Sequence, residues 1–390
     1  MLVQSKREQI SIADVVAQSE KAIRMVSEIR ASLLAPQSRK NPPSFTLTQV
    51  AALCGVDKGQ MAYRLAKGDL PTGTLNASGS RREFFLSEAR QWVKAYRHTK
   101  LRPNHGRAVT ISVGNFKGGV SKTTTAMTLA QGLSLRGHRV LVIDTDPQGS
   151  LTTLFGVLPD TDVSEEMTIM PLVNADESSI KPSIVSTYWD GIDLVAAAPT
   201  LFSAEFVLPA RQMEDPSFQF WNVLNLGLED VRDEYDVIII DTPPSLSYVT
   251  INAFMASEGL IVPLPPNALD FASSAQFWSL FGDLASNLVE KAGLSKSFDF
   301  IHVLLSRVDP SDAASSVVRT WIGATYAEKV LPVEIPKTAV TSASAAEFGT
   351  VYDISKYDGS LKTYKRARDA YDRFVDLVEQ SVQASWQANA

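Results

Sequence analysis

Apolar residues along the 390-residue chain change their spacing twice. From about Glu8 to Leu34 neither Gly nor Pro interrupts, and Ile12, Val15/Val16, Ala22/Ile23, Val26, Ile29 and Leu33 recur at close to 3.5 residues, with a break at Ser19. This spacing predicts one long amphipathic helix whose stripe must be covered, either by a neighbouring domain or by its copy in a second subunit. Pairing of two copies is the preferred reading. Pro36 and Asn41-Pro42-Pro43 end the helix and read as a linker. Residues 45–67 then read as two short helices. Thr46 and Gln49 are spaced for a capping box, Val50, Ala51 and Leu53 form a face, Gly55 makes a tight turn, and Met61 and Leu65 lie on the second helix. A turn at Gly68-Asp69-Leu70-Pro71, the basic stretch Gly79 to Phe85 and a helix around Leu86–Tyr96 follow, and polar Arg97–Arg107 closes the region.

Beyond it the apolar residues form unbroken runs: Val109–Val113, Arg139–Asp144, Ile192–Ala198, Val237–Asp241, Leu260–Leu264, Phe300–Leu305 and Leu331–Ile335. Continuous runs, in place of alternation, predict strands covered on both faces. The expected fold is α/β, a mostly parallel sheet flanked by helices, in which ligands sit beyond the strand carboxyl ends. The expected domains are 1–42, a dimerisation helix and linker; 43–107, a small domain of helices and a wing; and 108–390, the α/β domain.

Composition adds a charge asymmetry. Residues 1–108 carry 18 Lys and Arg against 8 Asp and Glu, a net +10, whereas 109–390 carry 19 against 35, a net −16. A basic front end beside an acidic remainder points to nucleic acid as its partner. The single cysteine, Cys54, excludes an internal disulfide and any four-thiolate metal or iron–sulfur site within one chain. No apolar run approaches the roughly 18 residues of a membrane span, and the N-terminus has no signal-peptide core, so a cytoplasmic protein with no membrane partner is expected.

The chemistry is concentrated in VTISVGNFKGGVSKTTT, Val109 to Thr125. A β-branched run leads into Gly118 and Gly119, then Val120, Ser121, Lys122, Thr123 and Thr124, then a helix-compatible run through Leu129 and Leu133. Strand, glycine loop and helix make a P-loop: backbone N–H groups close around phosphate oxygens, the helix dipole assists, Lys122 reaches the β/γ-phosphates and Thr123 can ligate Mg²⁺. Ser121 stands where the general motif has its second glycine, and a second lysine, Lys117, precedes Lys122 by five residues.

This KGGxxK[ST]T pattern resembles the deviant P-loop of the ParA/MinD group of ATPases. The resemblance covers about residues 109–360, and the front helix with its small domain resembles the longer plasmid ParA partition proteins. It implies ATP/ADP and Mg²⁺ as cofactors, with Lys117 reaching the nucleotide of the opposing subunit in a homodimer. It further implies Asp241 as the Walker B carboxylate on Mg²⁺, Asp144 in the metal shell and Asp146 orienting the attacking water. On an extended segment, carboxylates at i and i+2 point the same way. Arg307, Pro336 and Lys337 occupy the family's adenine loops, although Ser306 replaces its usual Asn. EIPKTAVTSASAAEFG departs from its family counterpart at Val340, where relatives carry a DNA-binding arginine.

Residues 45–85 resemble a winged helix-turn-helix of the MerR type. That resemblance would present Lys58, Gln60, Tyr63, Arg64 and Lys67 to a DNA groove and phosphates, with Arg81 and Arg82 on the wing. Lys337 and the cluster Lys362, Lys365, Arg366 and Arg368 are candidates for non-specific DNA contact, or for a merely solvated helix face. Together these features imply a partition ATPase bound to the nucleoid. It would form an ATP-dependent dimer on DNA, be stimulated by a ParB-like centromere-binding protein, and repress its own operator. Two rivals are a MinD-like positioning ATPase and a repressor that senses nucleotide without turnover. The first would need a basic amphipathic C-terminal helix, but Arg368–Trp386 carries Asp369, Asp372, Asp376 and Glu379 and reads as a docking helix.

Overall fold

The computed structural model describes residues 10–33, 40–76, 78–292, 296–338, 340, 349–354 and 359–388. Glu8, Leu34, Pro36 and most of the stretch after Lys337, residues 339 and 341–348, lie outside them. Two compact units are present, Met1–Lys40 and Asn41–Ala390. In the first, helix α1 spans Ile12–Leu33 as its periodicity predicts, and Ile12, Val15, Val16 and Val26 stay exposed along it.

The second unit begins with strand β1 (Phe45–Thr46) and helices α2 (Leu47–Cys54) and α3 (Lys58–Lys67). The Thr46–Gln49 capping box forms: Gln49 N–H donates to Thr46 Oγ1 at 3.4 Å, and Thr46 N–H donates to Gln49 Oε1 at 2.8 Å. Gly55, at φ 71°, turns the chain in the left-handed region, and a second capping box of Asp57 and Gln60 starts α3. Strands β2 (Thr74–Leu75) and β3 (Arg82–Phe84) pair antiparallel, and β1 adds to β3, giving the order β1-β3-β2. Strand β1 was hidden in the sequence because two residues show no period. Helix α4 (Leu86–Arg97) closes this region.

The remainder is a three-layer α/β body. Its strands are β4 (Val109–Val113), β5 (Val140–Asp144), β6 (Val185–Ser186), β7 (Ile192–Val195), β8 (Val237–Asp241), β9 (Gly259–Leu264), β10 (Phe300–Val308) and β11 (Val330–Pro336). They lie in the order β11-β10-β9-β4-β8-β5-β7-β6, all parallel except the antiparallel edge strand β6. Strands β4, β5, β8 and β9 are buried along their whole length, which accounts for their unbroken apolar sequences. The helices are α5 (Lys122–Leu135), α6 (Ser150–Leu154), α7 (Met170–Asn174), α8 (Ala204–Glu214), α9 (Val223–Gly227), α10 (Tyr248–Met255), α11 (Ala268–Ala292), α12 (Ala313–Tyr326) and α13 (Leu361–Ala388). Helix α13 buries Tyr371, Phe374, Val375, Val378, Val382 and Trp386, the docking face expected of it.

Residues 43–107 and the α/β body pack together within the second unit. One apolar cluster runs from Phe45, Val50 and Trp92 through α5 to Val378 and Trp386. Polar groups reinforce it. Arg90 on α4, only 5% exposed, donates through Nε to Ser134 O at 3.0 Å and through Nη2 to His138 O at 2.8 Å, and pairs with Asp190. Arg97 pairs with Glu379 of α13 at 2.7 Å, and Glu379 also meets His138 at 2.7 Å. Burial alone would lower the His138 pKa, but the carboxylates of Asp236 and Glu379 outweigh it and hold it raised.

Gly191, at φ 80°, lies against Arg90 so closely that a Cβ there would fall 2.1 Å from the guanidinium carbon. Arg90→Ala takes away the side-chain donor of the buried His138 carbonyl, one of the donors to Ser134 O and the partner of Asp190, and is expected to lower unfolding stability by about 3 kcal/mol. Gly191→Ala should cost a comparable amount by displacing the same guanidinium. Urea unfolding of both singles and the double should show the double losing clearly less than the sum, because both remove one interaction.

Candidate nucleotide-binding site

The P-loop bridges β4 and α5 at the carboxyl edge of the sheet, where all the motif residues were expected. A cleft of about 510 Å³ is lined by Gly118, Gly119, Ser121, Lys122, Thr123, Thr124 and Asp146, together with Ser150, Thr153, Leu154 and Pro244. Burial of α5 fixes its first turn: Lys122 and every residue from Thr125 to Leu135 are buried. Asn115 anchors the loop from beneath, donating through Nδ2 to Pro263 O at 2.9 Å and accepting from Lys117 N–H at 3.1 Å. Ser121 adopts φ 76°, a left-handed conformation that a glycine would take without strain.

The two lysines occupy different environments. Lys122 is buried, and Nζ donates to Lys117 O at 3.1 Å. Burial lowers its pKa, opposed by the charges of Asp241 and Asp146. The Lys117 side chain is exposed on the outer rim.

The acidic residues also divide. Strand β5 ends at Asp144, whose Oδ1 accepts from Asp146 N–H at 3.1 Å. The two carboxylates differ in exposure: Asp146 lines the cleft and Asp144 is fully buried, while the charges of both act on Asp241. Asp144 Oδ2 accepts from Thr152 N–H and Oγ1, each at 2.8 Å, so three donors surround its carboxylate. Burial nevertheless pushes its pKa up to about 7. Asp241, at the end of β8, is buried with neither carboxylate oxygen accepting a hydrogen bond of normal geometry, although the Thr123 side chain is near enough to favour its charged form. Its pKa is raised well above the carboxylate range, first by burial and then by Asp144.

Unsatisfied carboxylate oxygens beside Thr123 fit a hydrated divalent cation, which would supply the missing positive charge. Among the described residues no cluster of three His, Cys, Asp or Glu forms a metal cage, so most ligands would have to be water and phosphate oxygens.

The carboxyl ends of β10 and β11 approach the same loop. Arg307, exposed and at φ 52°, donates through Nη1 to Gly119 O at 2.6 Å. Ser306 is buried, and Oγ donates to Val120 O at 3.0 Å. Pro336 is buried at the end of β11, and Lys337 is exposed. Asn115 and Thr152 escaped the sequence reading, and so did the contact Ser306 makes, although Ser306 itself stands out there in place of the family's Asn. Asn115 and Thr152 lie within or just beyond the quoted motifs, whereas Ser306 is 186 residues from its partner.

The basic candidates on α3 are unequal. Lys58, Gln60, Tyr63 and Lys67 are exposed, Tyr63 at 72%. Arg64 is half-buried, pairs with Asp69 at 2.9 Å and lies over the Tyr96 ring, so its guanidinium is already engaged. Arg81 is exposed, while Arg82 donates to Thr72 O. At the start of α13, Lys362, Lys365 and Arg366 are exposed, but Arg368 pairs with Asp372 at 3.2 Å and covers Tyr352.

The raised pKa of Asp241 has a stability consequence. Such a carboxyl costs nothing below its unfolded pKa near 4 and progressively destabilises the fold as pH rises from there toward the folded value. Asp241→Asn should stabilise the ligand-free chain at neutral pH, on the order of 1 kcal/mol, with the gain vanishing toward pH 4. Thermal unfolding across that range checks it.

A family model described as an AAA domain matches residues 108–292. A relative from Rhizobium rhizogenes named as a replication protein A is 30% identical over 364 residues, covering 90% of this chain and 89% of its own. The chromosome-partitioning ATPase Soj of Thermus thermophilus is 34% identical over 243 residues, 61% of this chain and 85% of Soj. A solved partition protein shares the fold at TM-score 0.65 and 19% identity, over 95% of this chain and 98% of that one. With the deviant P-loop, the Walker B strand and this extent of similarity, the chain belongs to the ParA/MinD family of P-loop ATPases.

Proposed function

We propose that this protein is a DNA-partition ATPase. The observation that carries the reading is the cleft where buried Lys122, Thr123 and Asp146 meet beside the unsatisfied carboxylate of Asp241, with Lys117 left exposed on the rim. Loop N–H groups and Lys122 bind the phosphates of ATP in cis. Thr123 and Asp241 hold Mg²⁺ with water, with Asp144 bracing the loop between β5 and α6. The ion neutralises phosphate charge. Asp146 accepts a hydrogen bond from the attacking water, whose oxygen bonds to the γ-phosphorus as the bond to the β-phosphate oxygen breaks and ADP departs. Lys117 stabilises the departing charge in the opposing subunit, so hydrolysis requires a homodimer.

The surrounding parts fit a cycle on DNA. The exposed apolar stripe of α1 suits pairing with a second copy, and residues 45–85 form a winged helix-turn-helix that reads an operator through Lys58, Gln60, Tyr63, Lys67 and Arg81. Arg64 and Arg82 act chiefly by shaping that surface. Lys362, Lys365 and Arg366 sit in the first turns of α13, where the helix dipole disfavours cations, so an external anion such as a DNA phosphate would relieve them. A ParB-like partner stimulates turnover, and the protein works on the nucleoid. Burial of the apolar face of α13 disfavours the membrane-positioning alternative, and no described helix is long and apolar enough to cross a membrane.

Lys122→Ala is expected to weaken ADP binding by at least tenfold in calorimetry. Lys117→Ala should leave ADP affinity within about twofold yet reduce turnover by on the order of 10³, as loss of a charge supplied in trans does. Equal hydrolysis by Lys117→Ala and wild type would refute the trans role.

Tyr63→Ala/Lys67→Ala should abolish discrimination between operator and random duplex while ATP hydrolysis persists. Lys365→Ala/Arg366→Ala should instead weaken random-duplex binding and make the log–log salt dependence shallower by roughly one unit for each DNA phosphate no longer neutralised. Fluorescence anisotropy against salt, with ATP present, separates the two.

A further inference from the structure

Near its carboxyl end, where its pairing with β11 shifts register, β10 touches the phosphate loop at two successive carbonyls, and from two successive residues. Ser306 Oγ donates to Val120 O at 3.0 Å, and Arg307 Nη1 donates to Gly119 O at 2.6 Å. In a trans peptide a carbonyl and the following N–H point in opposite directions. Holding Gly119 O from one side therefore directs the Val120 N–H the other way, and holding Val120 O does the same for Ser121 N–H. A P-loop needs its N–H groups turned inward, toward phosphate oxygens.

This loop has particular reason to be held. Gly119 and Ser121 both lie at φ 76°, and at Ser121 the left-handed conformation costs about 1 kcal/mol that a glycine would not incur. Left alone, the segment would relax toward ordinary φ and turn its N–H groups away. Arg307 is itself non-glycine at φ 52°, and its side chain is exposed and so gains little from packing. What its strained backbone achieves is delivery of the guanidinium to Gly119.

Resting on the nucleotide-site reading above, the geometry points to Arg307 as a positioning residue for phosphate binding. With Ser306 it fixes the backbone of the P-loop, a role distinct from the base contact that the family resemblance implies for it. The energy of a base contact and that of a loop tether can be told apart with a ligand that has no base.

Binding of Mg²⁺-ADP and of Mg²⁺-tripolyphosphate to the full-length protein, measured by calorimetry, tests this. Arg307→Ala should weaken both ligands by a similar factor, on the order of tenfold, as loss of a charge-assisted hydrogen bond does. Arg307→Lys should recover part of both losses, and Ser306→Ala should reduce both by less. Arg307→Gly, which relieves the backbone strain, should bind as poorly as Arg307→Ala while unfolding no earlier than wild type, which separates lost positioning from a damaged fold. Loss of ADP affinity with tripolyphosphate binding unchanged would mean that Arg307 serves only the base and would overturn the proposal, as would no loss for either ligand. Wild-type protein that binds neither ligand overturns the nucleotide-site reading itself, and this proposal with it.

Discussion

Helix α5 must be buried on every side beyond its first turn, and much of the molecule follows from that constraint. A sheet covers one flank, and α13 crosses another so closely that a Cβ on Gly132 would lie 2.5 Å from Val375. Its polar residues cannot face water and are satisfied inside. Gln131 donates to Tyr188 Oη at 3.1 Å and to Asp353 at 3.2 Å, and Thr128 returns its hydroxyl to Thr124 O at 2.7 Å. A helix so enclosed cannot tilt or slide without breaking several contacts at once. Its amino-terminal turn is therefore a fixed platform on which the phosphate loop is built.

The two ends of α5 carry opposite charge environments, in the sense its dipole favours. At the amino end the N–H groups face the cleft. At the other, Arg136 donates to Gly132 O at 2.9 Å, Arg90 reaches Ser134 O, and Arg97 and Arg136 pair with Glu379 and Asp376. The acidic residues of α13, which in sequence weighed against membrane binding and in favour of docking, supply the counter-charges of this cluster. The net negative charge of the α/β body is thus partly neutralised internally, against arginines of α4 and of the turn after α5.

Sequence pattern made most of the fold legible because buried parallel strands leave continuous apolar runs, and Val109–Val113 and Val237–Asp241 coincide with their expected bounds. The phosphate loop was equally visible, since its residues are adjacent in the chain. Strand β6 was not, being two residues at a sheet edge. The distinct fates of Asp144 and Asp146 were also hidden, because they depend on where the strand stops and on Thr152 capping the buried carboxylate. Nor did sequence reveal that Arg64 and Arg368 are already paired. A basic residue and its acidic neighbour look alike in sequence whether or not their side chains meet.

The seam between α4 and the α/β body bears on how such chains can be recombined. Arg90 lies on one side, while Asp190, the carbonyls of Ser134 and His138, and a glycine at 191 lie on the other. Exchanging residues 43–107 for the equivalent piece of another ATPase would bring a helix without its matching socket, or leave a socket without its arginine. The front segment is consequently not a free module. It can be inherited or transplanted only together with a short loop 100 positions further along the chain.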